Sequence, residues 1–120
     1  MEATIRTRAT EMLGVDHPLV LGGMAGATSP ELVAAVSGAG GLGVLGVTGR
    51  RGTEIEALAG EIRERTGAPF GLNLLLFRSS PEQVAAVLAA KPRVLSTAWP
   101  EARQDLAHVF SRAHQAGSLA

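Results

Sequence analysis

The sequence predicts an α/β fold with a parallel sheet, built from four consecutive strand–helix units. Short apolar runs alternate with longer segments of helical periodicity along the chain. The connections between them are short, so each return from a helix to the next strand is expected to be a right-handed crossover. A glycine-rich turn follows the first apolar run, at the strand end where parallel α/β folds place their functional loops.

Four apolar runs are the predicted strands. Each is bounded by glycine, proline or a polar loop, and the first has the uniformly apolar character of a strand buried on both faces. In chain order the runs cover residues 18–21, 41–45, 70–76 and 93–96. Residues 7–13 are predicted to form a helical turn before the first strand, and residues 118–120 to begin a further strand.

Four helices are predicted between and after these strands. Their starts are indicated by Ser29-Pro30, by Thr53 with Glu56, by Ser80-Pro81 with Gln83, and by Pro100. Apolar side chains then recur on one face of each helix. In chain order these are Leu32, Val36 and Ala39; Ile55, Leu58, Ala59 and Ile62; Val84, Val87 and Leu88; and Leu106, Val109, Phe110 and Ala113. Gly117 is the expected end of the last helix.

The composition excludes several classes of function. Eleven basic and 11 acidic residues give a net charge of zero, so no basic surplus indicates nucleic acid or an anionic membrane as a partner. The absence of cysteine excludes disulfides, thiolate chemistry and cysteine-ligated zinc. The N-terminus lacks the apolar core of a signal peptide, and no stretch approaches the ~18 apolar residues of a membrane helix. We therefore expect a cytoplasmic protein with a small-molecule substrate.

The turn that contains Gly22, Gly23 and Met24 is the first candidate binding site. Glycine lets a ligand approach the backbone closely because no Cβ intervenes. Exposed backbone amides can then hydrogen-bond a flat heterocycle or a phosphate. A turn that needs positive φ angles would explain the same glycines, so the residues alone leave both interpretations open.

Asn73 is the second candidate, because it interrupts the apolar run 72–76 (LNLLL). A buried side-chain amide must find a hydrogen-bond partner or destabilise the fold by a few kcal/mol. Near the carboxyl end of a strand the partner is either a ligand or a group on a neighbouring loop, and both remain open.

Residues 38–43 (GAGGLG) match the G-x-G-x-x-G pattern of dinucleotide-binding proteins. That fingerprint has to follow a strand and open a helix. Here the glycines follow a helix and enter a strand, which is the reverse order. We assign them to the end of the helix and to close packing of helix against strand.

No catalytic residue can be named from the sequence. His17 precedes the first predicted strand, at the wrong end of a barrel for catalysis. His108 and His114 are six residues apart on one helix, which is not the spacing of a shared metal site, and we predict no metal. Arg50 and Arg51 lie in the loop after the second strand, where exposure to solvent is a simpler explanation than contact with a phosphate.

Three stretches resemble the nitronate monooxygenase family, also called 2-nitropropane dioxygenase-like. They are residues 18–26 (PLVLGGMAG), 30–46 (PELVAAVSGAGGLGVLG) and 68–74 (APFGLNL). The members of this family are FMN-dependent TIM barrels. The resemblance implies that residues 1–120 are a partial FMN-binding domain, the N-terminal half of a TIM (β/α)8 barrel, and 120 residues are about half of the ~250 in a complete barrel.

The same resemblance implies where FMN is bound. In the family, backbone groups of the first loop line the flavin, which corresponds to Gly22, Gly23 and Met24. The amide on the third strand contacts it, which corresponds to Asn73. The family's catalytic histidine and glycine-rich phosphate site belong to the second half and have no counterpart here. The catalytic residues therefore stay unknown, and we expect the chain by itself to be inactive.

Three functions are compatible with these observations. The first is FMN-dependent oxidation of alkyl nitronates with O2. Many family members have Ala-Pro-Met where this chain has Gly22-Gly23-Met24, and the Gly-Gly-Met form resembles the related FMN-dependent enoyl-acyl-carrier-protein reductases. Reduction of an enoyl thioester is therefore the alternative. The third is a non-catalytic half-barrel fragment or assembly module. Such a half would leave two sheet edges open, which predicts self-association and weak binding of FMN.

Overall fold

The computed structural model describes residues 4–120 as one parallel sheet flanked by helices. In chain order the elements are α1 (Arg8–Leu13), α2 (Pro30–Gly38), β1 (Gly43–Gly46), α3 (Gly52–Arg65), β2 (Phe70–Leu75), α4 (Pro81–Ala89), β3 (Val94–Ala98) and α5 (Leu106–Gln115). Short 3₁₀ turns cover Ala25–Ala27 and Leu76–Arg78. The strand order is β1-β2-β3 and both pairings are parallel, which confirms the predicted α/β class.

The first predicted strand, residues 18–21, is wrong in extent and in burial. It is reduced to one parallel bridge between Val20 and Leu42, so the described chain has three full strands rather than four. Leu19 and Val20 are 66% and 57% exposed instead of buried on both faces. The reason is that, within residues 4–120, this segment pairs with the sheet on one side only.

The opposite edge of the sheet ends in a similar bridge. Leu119 donates its backbone N–H to the Arg93 carbonyl (2.9 Å) and accepts from the Leu95 N–H (2.8 Å). This confirms the predicted strand start at residues 118–120, although only as a bridge to Val94. The three full strands lie within two residues of their predicted bounds, which is the usual uncertainty of element ends.

The hydrophobic core lies between the sheet and the helices α2, α3 and α4, which pack side by side. The sheet contributes Leu45, Phe70, Leu72, Leu74 and Leu95. The predicted apolar faces of α3 and α4 are confirmed, since Ile55, Ala59, Ile62, Val84, Val87 and Leu88 are all buried. On β2 these core residues alternate with Gly71, Asn73 and Leu75, so the latter three point to the other face of the sheet.

The buried face of α2 differs from the predicted one. Val33, Ala34 and Ser37 are buried, whereas Leu32 is 39% exposed. The helix is apolar on most of its circumference, so its periodicity does not select a face. Tertiary packing selects it, because a Cβ at Gly43 would stand 2.2 Å from the Val33 carbonyl oxygen. Helix and strand thus meet backbone to backbone, which confirms the packing role predicted for residues 38–43.

Two helices begin elsewhere than predicted. Helix α3 starts at Gly52 rather than at Thr53, because the Glu54 carboxylate accepts from the Arg51 backbone N–H (2.8 Å) and from its Nε (3.2 Å). Both hydrogen bonds lower the pKa of Glu54, and the bond from the backbone N–H has the larger effect. The predicted capping box of Thr53 with Glu56 is therefore wrong.

The last helix begins at Leu106 rather than at Pro100. The Asp105 carboxylate accepts from the His108 backbone N–H at 3.0 Å and forms the actual N-cap. The segment before it is held elsewhere, since the Gln104 side chain donates to the Leu76 carbonyl at 2.9 Å. The starts predicted at Ser29-Pro30 and at Ser80-Pro81 are confirmed, as is the short helix after Thr7.

Replacing Ser37 with alanine is expected to lower the free energy of unfolding by about 1–3 kcal/mol. The Ser37 side chain is buried, and its Oγ accepts from the Gly43 backbone N–H at 2.9 Å. Its loss leaves that N–H unpaired in the core. Urea unfolding followed by circular dichroism measures the effect, with Ser111→Ala on the exposed side of α5 as the control. Equal unfolding midpoints for the two variants would contradict the prediction.

Between residues 4 and 120, no helix is long and apolar enough to cross a bilayer. The predicted cytoplasmic location stays a prediction.

Candidate functional site

A cavity of about 190 Å³ opens at the carboxyl ends of β1 and β2. Its lining consists of Gly23, Met24, Ala25, Gly46, Thr48, Asn73 and Leu75. Gly46 and Asn73 are paired in the sheet and belong to the face opposite the helix-covered core. Three of the four residues predicted to bind a ligand therefore line one cavity, and Gly22 directly precedes them in the chain.

The glycine turn lies directly against the strand that carries Asn73. A Cβ placed on Gly23 would stand 2.5 Å from the Asn73 Cβ and 3.1 Å from its Oδ1. None of the turn's glycines is among the positive-φ residues of the described chain. The explanation that the turn needs positive φ angles is therefore wrong for them, and at Gly23 the requirement is close approach.

Gly46 has the same role at the end of β1. A Cβ there would stand 2.5 Å from the backbone nitrogen of Ala25, so glycine lets the 3₁₀ turn Ala25–Ala27 rest on the strand end. The Gly46 N–H donates to Thr28 Oγ1 (3.1 Å), and that hydroxyl donates to the Ala25 carbonyl (3.2 Å). Buried Thr28 thus fastens the turn to the sheet.

The Asn73 side chain has a protein partner, and it lies on the neighbouring strand rather than on a loop. Its Nδ2 donates to Ser96 Oγ (3.0 Å) and to the Ser96 carbonyl (3.3 Å). Gly46, Asn73 and Ser96 are register partners across all three strands. Among residues 4–120 no group donates to Asn73 Oδ1, although Asn73 is only 8% exposed.

The cavity is electrically neutral, and the turn beside it has backbone N–H groups without a protein acceptor among the described residues. No charged side chain lines it. Across residues 4–120, no protein group accepts from the backbone N–H of Gly22, Gly23 or Met24. Free N–H donors beside one carbonyl-type acceptor match a flat, neutral heterocycle that has both acceptors and an N–H. The isoalloxazine ring of a flavin has this chemistry, so the residues fit that part of FMN.

The sequence reasoning missed several residues at this edge of the sheet. Thr48 lines the cavity, and its Oγ1 accepts from the Leu75 N–H at 2.8 Å. Phe77 and Trp99 follow β2 and β3, form an aromatic pair with ring centres 5.8 Å apart, and remain exposed. The only sequence feature that could have indicated them is their position directly after predicted strands, because the carboxyl ends of parallel strands lie together at one end of the sheet.

The remaining polar candidates lie away from the cavity. The His17 backbone N–H donates to the carbonyl of Gly40, which precedes β1. His17 therefore lies where the strands begin, at the end of the sheet opposite the cavity. His108 and His114 are exposed on α5. Arg51 caps α3 through Glu54, and in the described part of the chain no three His, Asp or Glu side chains are grouped as metal ligands.

Comparison with known proteins identifies the family of the chain. The family model of nitronate monooxygenase matches residues 6–113, nearly the whole chain. The chain belongs to the nitronate monooxygenase family. The match includes the turn at Gly22–Met24 and Asn73, on which the sequence resemblance depended.

Curated relatives of this family member are two different kinds of enzyme. The chain is 42% identical over 71 residues to the nitronate monooxygenase of Pseudomonas aeruginosa. The matched stretch covers 59% of this chain and 20% of that enzyme. It is 37% identical over 97 residues to (3aS,4S,5R,7aS)-5-hydroxy-7a-methyl-1-oxo-octahydro-1H-indene-4-carboxyl-CoA dehydrogenase of Rhodococcus jostii, covering 80% of this chain and 28% of that enzyme. The chain thus spans less than a third of the length of these relatives.

Solved structures show the same partial correspondence. FabK from Thermotoga maritima superposes with a TM-score of 0.83 at 33% identity, over 96% of this chain and 36% of FabK. Nitroalkane oxidase from Streptomyces ansochromogenes superposes with a TM-score of 0.77 over 94% of this chain and 41% of that one. At 23% identity, the latter supports the fold alone.

Proposed function

We propose that this chain is the flavin-facing N-terminal part of an FMN-dependent oxidoreductase that oxidises alkyl nitronates with O2. The observation that carries the proposal is the contact of the Gly23 turn with Asn73 at one cavity, in a chain that belongs to the nitronate monooxygenase family. The substrate is the one that the family name states.

The same proposal includes a TIM (β/α)8 barrel, of which the chain is the N-terminal half. The parallel sheet, with a further bridge at each edge, supports an arrangement that continues on both sides. The coverage of only 36% of FabK supports a larger complete domain. In such a barrel, Gly46, Asn73 and Ser96 would point inward, and the cavity would be part of the carboxyl-end active site.

The binding roles follow from the groups at the cavity. FMN, when bound, supplies the redox chemistry of the reaction. The backbone N–H groups of Gly22, Gly23 and Met24 are available to acceptors on the ring, and Asn73 Oδ1 is available to its N–H. Leu75 and Met24 provide apolar contact beside these polar groups. The chain assigns no catalytic acid or base, because no charged side chain reaches the cavity.

The activity is tested on the protein at its natural length. Purified protein is loaded with FMN and assayed for oxygen uptake with propyl-2-nitronate. We expect bound flavin and nitronate-dependent oxygen uptake. A protein that retains no flavin absorbance once the unbound FMN has been removed would contradict the proposal.

Oxidation or reduction of an acyl thioester is the second candidate function. Two observations favour it: the Rhodococcus jostii relative is by name a carboxyl-CoA dehydrogenase, and this chain has Gly22-Gly23-Met24 in the form that resembles enoyl-acyl-carrier-protein reductases. The same preparation is assayed for NAD(P)H oxidation with an enoyl thioester. Activity in this assay alone would replace the nitronate as substrate and leave the flavin assignment standing.

Replacing Asn73 with alanine is expected to weaken FMN binding by about 1–3 kcal/mol, roughly a 5- to 150-fold rise in Kd. The physical reason is the loss of the acceptor Oδ1 beside the glycine turn. Titration by quenching of flavin fluorescence measures Kd. Thr97→Val is the control, because Thr97 neighbours Ser96 on β3 but does not line the cavity. Unchanged FMN affinity in the alanine variant would show that the Asn73 side chain does not contact the flavin.

We further propose that the 120-residue chain by itself self-associates through its sheet edges and binds FMN weakly. Leu19 and Val20 leave an apolar segment exposed at one edge. Sedimentation at increasing concentration should show oligomers, and Val20→Lys should shift them toward the monomer. Leu32→Lys, on the exposed side of α2, is the control and should change little. A monomer with tight FMN binding at all concentrations would refute this.

A further inference from the structure

The Asn73 amide is held on one side only. Its Nδ2 lies 3.0 Å from Ser96 Oγ and 3.3 Å from the Ser96 carbonyl oxygen. A primary amide carries two N–H donors, and these two acceptors belong to one residue. Both hydrogen bonds that the nitrogen end makes within the described residues therefore go to Ser96.

The oxygen end has no protein partner in the described chain and is open to the cavity rather than sealed in the core. Asn73 is 8% exposed, and no donor within residues 4–120 reaches Oδ1. The oxygen lies 3.1 Å from where a Gly23 Cβ would stand, and both residues line the cavity. Because no described protein group occupies this accessible oxygen, a ligand N–H in the cavity could donate to it, in a residue that is otherwise largely shielded from water.

We propose that Ser96 is a positioning residue that holds the Asn73 amide with Oδ1 toward the cavity, so that the site recognises its ligand through a ligand N–H. The inference rests on the proposed function, because it takes the ligand to be FMN. Oxidised isoalloxazine carries a single ring N–H, at N3. The site would then select the flavin by that N–H, and Asn73 would act only as an acceptor.

The two acceptors of Ser96 have different effects. The carbonyl determines which way round the amide sits, because a flipped amide would place Oδ1 against another acceptor. The hydroxyl makes the shorter contact and restricts rotation of the amide. Replacing the hydroxyl therefore keeps the preferred orientation but loosens it. The matched pair Ser96→Thr and Ser96→Val isolates this effect, because both side chains are β-branched and only one has a hydroxyl.

The experiment compares FMN with 3-methyl-FMN, which lacks the N3–H, on the protein at its natural length. Quenching of flavin fluorescence gives Kd for the wild type, Ser96→Thr, Ser96→Val, Asn73→Ala and the double variant Asn73→Ala/Ser96→Val. We expect the wild type and Ser96→Thr to prefer FMN by about tenfold, and Ser96→Val to lose roughly three- to fivefold of that preference. In the Asn73→Ala background, Ser96→Val should change nothing further.

Two results would overturn the proposal. One is a Ser96→Val variant that prefers FMN as strongly as the wild type does. The other is an equal effect of Ser96→Val with and without Asn73, because that would indicate a general structural role. Retained FMN binding with either result would leave the proposed function intact.

A wild type that binds neither flavin would instead contradict the proposed function. The role of Ser96 is then decided by NMR of the side-chain amide of Asn73, the one asparagine among these 120 residues. Slow exchange of its protons with water in the wild type and in Ser96→Thr, but not in Ser96→Val, would support the positioning role. Equal exchange in all three would overturn it.

Discussion

Replacing Gly43 with alanine is expected to destabilise the fold by about 3 kcal/mol or more. An added Cβ would stand 2.2 Å from the Val33 carbonyl oxygen and 2.9 Å from Ser37 Oγ. Both atoms belong to α2, and Val33 and Ser37 are buried, so neither can move into solvent. The helix would have to move away from β1, which opens the core and breaks the hydrogen bond from the Gly43 N–H to Ser37.

Urea unfolding at one fixed protein concentration measures this effect, since the proposed self-association would make stability depend on concentration. The control is Gly60→Ala within α3, where an added Cβ meets nothing within 4 Å. It should stabilise the protein by about 0.5–1 kcal/mol, because alanine is the better helix former. A Gly43→Ala variant as stable as the wild type would show that α2 does not lie against β1 as described.

Replacing Gly23 with alanine is expected to weaken FMN binding by about 2–4 kcal/mol, roughly a 30- to 700-fold rise in Kd. The new Cβ would stand 2.5 Å from the Asn73 Cβ, so either the turn or the amide has to move. Each movement separates the backbone donors of the turn from the Asn73 acceptor. The global fold should change less, because this contact lies outside the main core.

Gly26→Ala is the matched control for Gly23→Ala. It lies in the same turn, and its added Cβ would meet nothing within 4 Å. We expect its FMN affinity to remain close to that of the wild type, while circular dichroism should report an intact fold for both variants. Equal affinities for the Gly23 and Gly26 variants would argue against a flavin site at this contact.

The residues of the candidate site are held by the same contacts that build the sheet. Glycine at positions 23 and 46 lets the turn rest on the strand ends, and Thr28 fastens it there. Asn73 and Ser96 are register partners on adjacent strands. The site geometry therefore depends on the strand register, because a shift by one residue would turn the Asn73 side chain into the helix-covered core.

The sequence by itself determined the parallel α/β class, the helices after Ser29 and Ser80, and the core faces of α3 and α4. These features depend on local signals, namely capping, proline and glycine stops, and amphipathic spacing. The glycine-rich turn after an apolar run and the single amide within another apolar run indicated Gly22, Gly23, Met24 and Asn73 as candidate site residues. The family resemblance then indicated FMN as their common ligand.

Only the tertiary structure decided the remaining features. The face of α2 follows from the contact of Gly43 with Val33, and the start of α5 from the side chains of Gln104 and Asp105. The segment around Val20 joins the sheet only through its bridge to Leu42. Ser96 was assigned to Asn73 by strand register alone. All of these depend on contacts between residues far apart in the chain, and local sequence patterns do not encode the distances between such residues.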